Sequence, residues 1–230
     1  MARLSALPLL AAALLLASGA AAQSVCILPL NVQSDSAVTV SGTISRPFTA
    51  AVNSNNKAAF YGQVAVVFPN GCPDAGGLSG ALGGAYLATP KQVSGVGLGS
   101  TSAIVKIGDT DAATITVQNL KGTVLSKVGA GGISSPQVTA TSGEVVTKSD
   151  LAQVSPYSLS GRKMQLSGGG CSLSASGGAV TFACPKLEVY NSFTLDMGEG
   201  QLAIKGSITA KGSLSDAKVV PKGDVPAPLS

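Results

Sequence analysis

From residue 23 onward, apolar and polar positions alternate singly in short runs, which is the period of a strand with one buried face. The runs are rich in Val, Ile, Thr and Ser: SAVTVSGTI, AAFYGQVAVVF, SAIVKI, ATITVQNL, GEVVTK, AVTFAC and GQLAIKGSI. Gly, Asn or Pro separates them, and no stretch repeats apolar residues at i, i+3, i+4 and i+7 over three turns. The pattern predicts an all-β, antiparallel fold, a sandwich or open roll, with no substantial helix in the mature chain.

The sharpest local prediction is the segment 171–184, CSLSASGGAVTFAC. A two-residue turn at Gly177-Gly178, where positive φ carries no steric penalty, pairs Ser176 with Ala179, Ala175 with Val180 and Leu173 with Phe182. Cys171 then faces Cys184 in a non-hydrogen-bonded pair, whose close Cα atoms suit a disulfide. Cys26–Cys72 follows by elimination, although spacing alone leaves the other pairings open. Two weaker hairpins are expected. GDTD at 108–111 sets Ile104 opposite Ile115, and a turn at Gly198-Glu199 sets Leu195 opposite Leu202 and Phe193 opposite Ile204. Between Pro185 and Asn191 the alternation changes phase, which predicts a bulge or sheet edge. From Arg162 to Lys211 the chain reads as a meander of about five strands.

Residues 1–22 read as a secretory signal peptide: Arg3, an apolar run from Leu7 to Leu16, and Ala20-Ala21-Ala22 before the cut. A membrane anchor needs a longer apolar run, and a lipidated Cys26 needs different residues ahead of it than Gln23-Ser24-Val25. Residues 23–215 then form a single all-β domain, and 216–230, DAKVVPKGDVPAPLS, have the composition of a flexible tail. The product is expected outside the cytosol, extracellular or periplasmic, where four cysteines form two disulfides. The alternative use of cysteine, metal binding, lacks both C-x-x-C spacing and any histidine.

Charge narrows the partners. The formal +4 is scattered, without the clustered cations and interleaved aromatics of a nucleic-acid surface, and no later stretch is long enough to span a bilayer as a helix. No cofactor is implied.

Zero histidines remove Ser-His-Asp and Cys-His nucleophile systems. Asp109 and Asp111 form a D-x-D that reads as turn chemistry rather than as a calcium loop needing 6–8 oxygens. Asp196 and Glu199 are the other close carboxylate pair, without sign of a cleft. Ser54–Lys57 matches S-x-x-K, but in a turn and with no K-T-G strand. GVGLGS at 95–100 lacks the lysine of a phosphate loop.

Binding remains open. Tyr61, Tyr86, Tyr157 and Tyr190 are the candidate ligand-binding aromatics, since a ring packs the apolar face of a sugar. A curled apolar sheet would instead form a trough for an acyl chain, with Lys121 or Lys205 at its rim. The sequence thus predicts a secreted, non-enzymatic structural or adhesive protein of a cell surface, wall or matrix. A lipid carrier or carbohydrate-binding module is the alternative, with polymer, glycan or lipid as partner.

Overall fold

The computed structural model describes residues 23–45, 49–54, 56–129, 132–150, 155–166, 170–195 and 198–230. The expected leader, residues 1–22, and Asp196 lie outside the described residues. Apart from one short helix, α1 (Leu78–Ala81), and three 3-10 turns, the regular secondary structure of the described residues is strand.

Fifteen strands form one antiparallel sheet that closes into an eight-stranded barrel. Most barrel positions are long strands interrupted by bulges. The first is β1 (Ser24–Val32) and β2 (Ala37–Ile44). Asn31 faces Gln63 and Lys211, and Ala37 faces Ala59 and Ser207, so six residues advance on this strand against four on each neighbour. The surplus is the bulge at 33–36. Ser36, 1% exposed, knits it: its hydroxyl donates to Thr209 O at 3.0 Å and accepts from Thr209 N at 2.9 Å.

The second position is β3 (Ala50–Ser54) and β4 (Ala58–Phe68), and the third is β5 (Tyr86–Ala88), β6 (Gly95–Leu98) and β7 (Thr101–Ile107). Long unbroken strands follow as β8 (Thr110–Gly129) and β9 (Gly132–Ser149). The sixth position is divided. β10 (Tyr157–Ser158) and β11 (Lys163–Gln165) pair with β9, whereas β12 (Ser172–Ser176) pairs with β13 (Ala179–Leu195). β14 (Gly198–Ser213) and β15 (Lys218–Pro221) then both return to β1, which closes the ring. Closure by pairing the first and last strands is why neither a sandwich nor an open roll forms: it leaves few strand edges exposed.

One face of every strand points inward. Leu28, Leu30, Val64, Val66, Leu98, Leu120, Val124, Phe182 and Ile208 belong to a single buried core. The loop from Pro69 to Ala85 plugs one end with Leu78, Leu82 and Ala85, and the Cys26–Cys72 disulfide ties it to β1. That bond also excludes a lipidated Cys26. At the far end Val40, Ile44, Val52, Val105, Ile115 and Leu202 form a second cluster.

The 171–184 hairpin has the predicted register, from Ser176–Ala179 to Leu173–Phe182, with φ of 57° and 80° at Gly177 and Gly178 and a Cys171–Cys184 bond. The predicted phase change is a register shift between Cys184 and Leu187. The two weaker hairpins are corrected. Ile115 faces Ala103, not Ile104, because the turn is Gly108-Asp109 and a bulge follows at Asp111–Ala113; this turns Ala103 and Ile115 inward together. β13 reaches Leu195, which faces Gly198, so Ile204 meets Val189 rather than Phe193, and Leu202 meets Asn191 rather than Leu195. Among the described residues, four strands rather than about five lie between Arg162 and Lys211.

The C-terminal residues also differ from the loose tail that their composition suggests. After a 3-10 turn at Leu214–Asp216, β15 extends the line of β14 along β1. Residues 222–229 then cross the outside of the barrel, through Lys91 N–H to Asp224 O at 3.2 Å and Leu229 N–H to Ser126 O at 3.1 Å. Val220 and Val225 cover Val25, Ile27, Val67, Tyr86 and Val93, a small apolar cluster on the outer face. Two buried valines anchor the strap, and prolines at 221, 226 and 228 suit its extended path.

Candidate functional site

The interior was the place for an acyl chain. It contains a cavity of about 60 Å³, lined by apolar side chains and two glycines, among them Phe60, Leu98, Leu120, Met164, Phe182 and Ile208. Pockets for small organic ligands are typically ~300 Å³ or more. Side chains have filled the barrel. Nor do the two lysines stand at a rim: Lys121 is exposed opposite Gly97, and Lys205 lies 3.5 Å from the Glu188 carboxylate.

The four tyrosines do not assemble into a platform. Tyr61 lies outside on β4, with its ring over Gly97 of the neighbouring strand, where a side chain would run into the ring. Tyr86 is buried beneath the strap and donates to Pro226 O at 3.0 Å; burial raises its phenol pKa. Tyr157 is half-buried, with the Arg162 guanidinium 5.0 Å from its ring centre. Tyr190, half exposed, donates to Glu188 at 2.9 Å. That hydrogen bond, with the Lys205 charge, holds the Glu188 carboxyl below its ordinary pKa. The register row through Tyr190 runs to Ala203, Ser41 and Asn53, away from Tyr61.

Carboxylates are dispersed. Asp111 pairs with Lys106 at 3.4 Å beside the β7–β8 turn, and among the described residues no three of His, Cys, Asp and Glu gather as a metal site. Ser54 and Lys57 flank the break between β3 and β4, where the Ser54 hydroxyl donates to Asn56 O at 2.7 Å. Among the described residues no helix opens there.

A groove on the outside is larger than that interior cavity. Its cavity of about 490 Å³ has three walls: the loop 89–94, the outer surface of β8 and β9, and the strap at 223–226. Bulges created the loop: β5 and β6 both pair with β4, but the six residues between them have no partner strand. Gly122 and Thr123 of β8 and Thr141 of β9 lie along the groove. At Gly95, with φ of 76°, a Cβ would lie 2.6 Å from Gly122 O, so only glycine lets β6 approach β8 there.

The walls are held firmly. Asp224 accepts from Lys91 Nζ at 2.7 Å and Gln92 Nε2 at 3.1 Å, and its carboxyl pKa is lowered chiefly by the Lys91 bond. Thr89 Oγ1 accepts from Val124 N–H at 2.8 Å. The hydroxyls of Thr123 and Thr141 have no protein partner among the described residues. Periodicity gave no warning of this groove. Thr123 is an ordinary ladder residue of β8, Thr141 is the unpaired residue where the β8–β9 register shifts, and Asp224 lies in what reads as a tail. Comparison with family models, curated proteins and solved structures finds no match to the chain.

Proposed function

We propose that the chain is a secreted, non-enzymatic structural or adhesive protein that acts at a cell surface, wall or matrix through the outside of its barrel. The filled interior carries this reading. With about 60 Å³ of space inside, the fold offers no chamber for a cargo. Two disulfides, one at the plugged end and one at the divided sixth position, suit a shell built to persist in an oxidising compartment. Outward residues of the ladder, such as Thr39, Ser41, Thr43, Thr114 and Thr116, give the shell a hydroxyl-rich exterior with sparse charge.

The test is fractionation of the source cells with antibody to residues 23–230, followed by terminal sequencing and co-sedimentation of purified protein with isolated envelope material. The expected product begins at Gln23, is recovered outside the cytosol and pellets with the envelope. Recovery from the cytosol with residues 1–22 attached, or failure to pellet, overturns the reading.

A further inference from the structure

We propose that the outer groove between the loop 89–94, the β8–β9 surface and the C-terminal strap is a binding site for a neutral saccharide of one or two rings. The inference deepens the adhesive reading by naming a ligand class and a place, and it rests on that reading only for its biological setting.

Size is the first argument. At about 490 Å³ the groove falls within the range of small-ligand sites, roughly 300–1,000 Å³. Its chemistry is the second. Thr123, Thr141 and Ser94 bring hydroxyls that both donate and accept, and Gly122 and Gly223 expose backbone. Lys91 and Asp224 satisfy each other's charge across the mouth, which leaves no net charge to select an ion. A ligand matched to this lining is uncharged and dense in hydroxyl groups. Pro90, Val93, Val225 and Pro226 supply the apolar strips against which the C–H face of a pyranose packs.

The third argument is preorganisation. The strap is tied to the loop by a main-chain bond from Lys91 and by the Asp224 side chain, and the loop to β8 through Thr89. Meanwhile Thr123 and Thr141 keep hydroxyls unspent on protein partners among the described residues. Walls fixed in advance reduce the ordering cost of binding, so weak polar contacts suffice.

The experiment is a titration of the isotopically labelled mature chain, disulfides intact, followed by amide shifts. The probes are glucose, galactose, mannose, N-acetylglucosamine, cellobiose and chitobiose at millimolar concentration. At least one is expected to shift amides of 89–94, 122–123, 141 and 223–226 together. The double variant Thr123→Val, Thr141→Val removes two hydroxyls and leaves the strap's ties in place. It should keep the parental melting temperature and lose roughly tenfold in affinity, the worth of one or two hydrogen bonds. Should the double variant unfold, Ser94→Ala is read in the same way, with weakening expected. The proposal fails if no probe shifts those amides, if shifts centre elsewhere, such as around Tyr190, or if folded variants bind as the parent does. Envelope pelleting by the parent, scored separately, shows whether the surface reading survives such a failure.

Discussion

Replacing Cys26 and Cys72 together by alanine removes a link spanning 46 residues, whereas Cys171 and Cys184 close only 13. In the chain-entropy treatment the first is worth about 4 kcal/mol and the second about 3 kcal/mol. Each pair has one fully buried sulfur, Cys26 and Cys184, so the packing lost on substitution largely cancels in the comparison. What the links hold then widens the gap. Cys72 lies in the loop that carries Leu78, Leu82 and Ala85 into the core, and without the link that plug is fastened mainly by its own contacts. The shorter link fastens a hairpin already set by its two-glycine turn and five paired rows. The Cys26/Cys72 variant should therefore be the less stable by at least ~1 kcal/mol. Urea unfolding at fixed pH measures this directly: with m near 2 kcal/mol/M, the midpoints differ by about 0.5 M. A Cys171/Cys184 variant that loses as much or more would refute both the loop-length reasoning and the role assigned to the plug.

Truncation after Pro221 uncovers Val25, Val67, Tyr86 and Val93, and should lower stability by about 2–4 kcal/mol; Val225→Asp does the same more locally, both read by thermal scan. At Gly206 a Cβ would fall on the Ala37 carbonyl and 2.7 Å from Val38 Cα, so Gly206→Val should abolish soluble expression, while Gly223→Ala, in open space, should not. Both Asp224 and Glu188 have carboxyl pKa values lowered in the folded state. Their stabilisation is thus complete above the ordinary carboxylate range and is lost as pH falls from about 4 through the depressed values. Limited proteolysis should show the strap released first in acid. Asp224→Asn should make release independent of pH, and an unchanged profile would contradict the assignment.

Much of the fold was legible because period-2 patterning is local. Strand type, the 171–184 register and the Cys184–Leu187 phase change each follow from neighbouring residues. Closure did not, because the bulge at 33–36 and the breaks between β3 and β4 and between β6 and β7 cut long strands into pieces that read as separate short ones. The β13–β14 register was missed for another reason: Leu195 already faces Gly198, ahead of the expected Gly198-Glu199 turn. The two-residue turn at Gly108-Asp109 and the single unpaired residue after Asp111 together move Ile115 from Ile104 to Ala103, and nothing in GDTD advertises them. Residues 216–230 were misread because composition reports what a segment is able to do alone. Val220 and Val225 are ordered by partners from distant parts of the chain. The groove was invisible for the same reason: its three walls come together only in the closed barrel.

β1 takes its partners from both extremes of synthesis: β4 follows soon after it, but Val25 and Cys26 wait for Val220 and Val219. Until the last dozen or so residues emerge, one flank of the first strand stays open, and pairings of such long sequence separation form slowly. A premature stop between residues 213 and 218 would leave a barrel that lacks only β15 and the strap, with the Ser24–Ile27 flank unpaired and open to association.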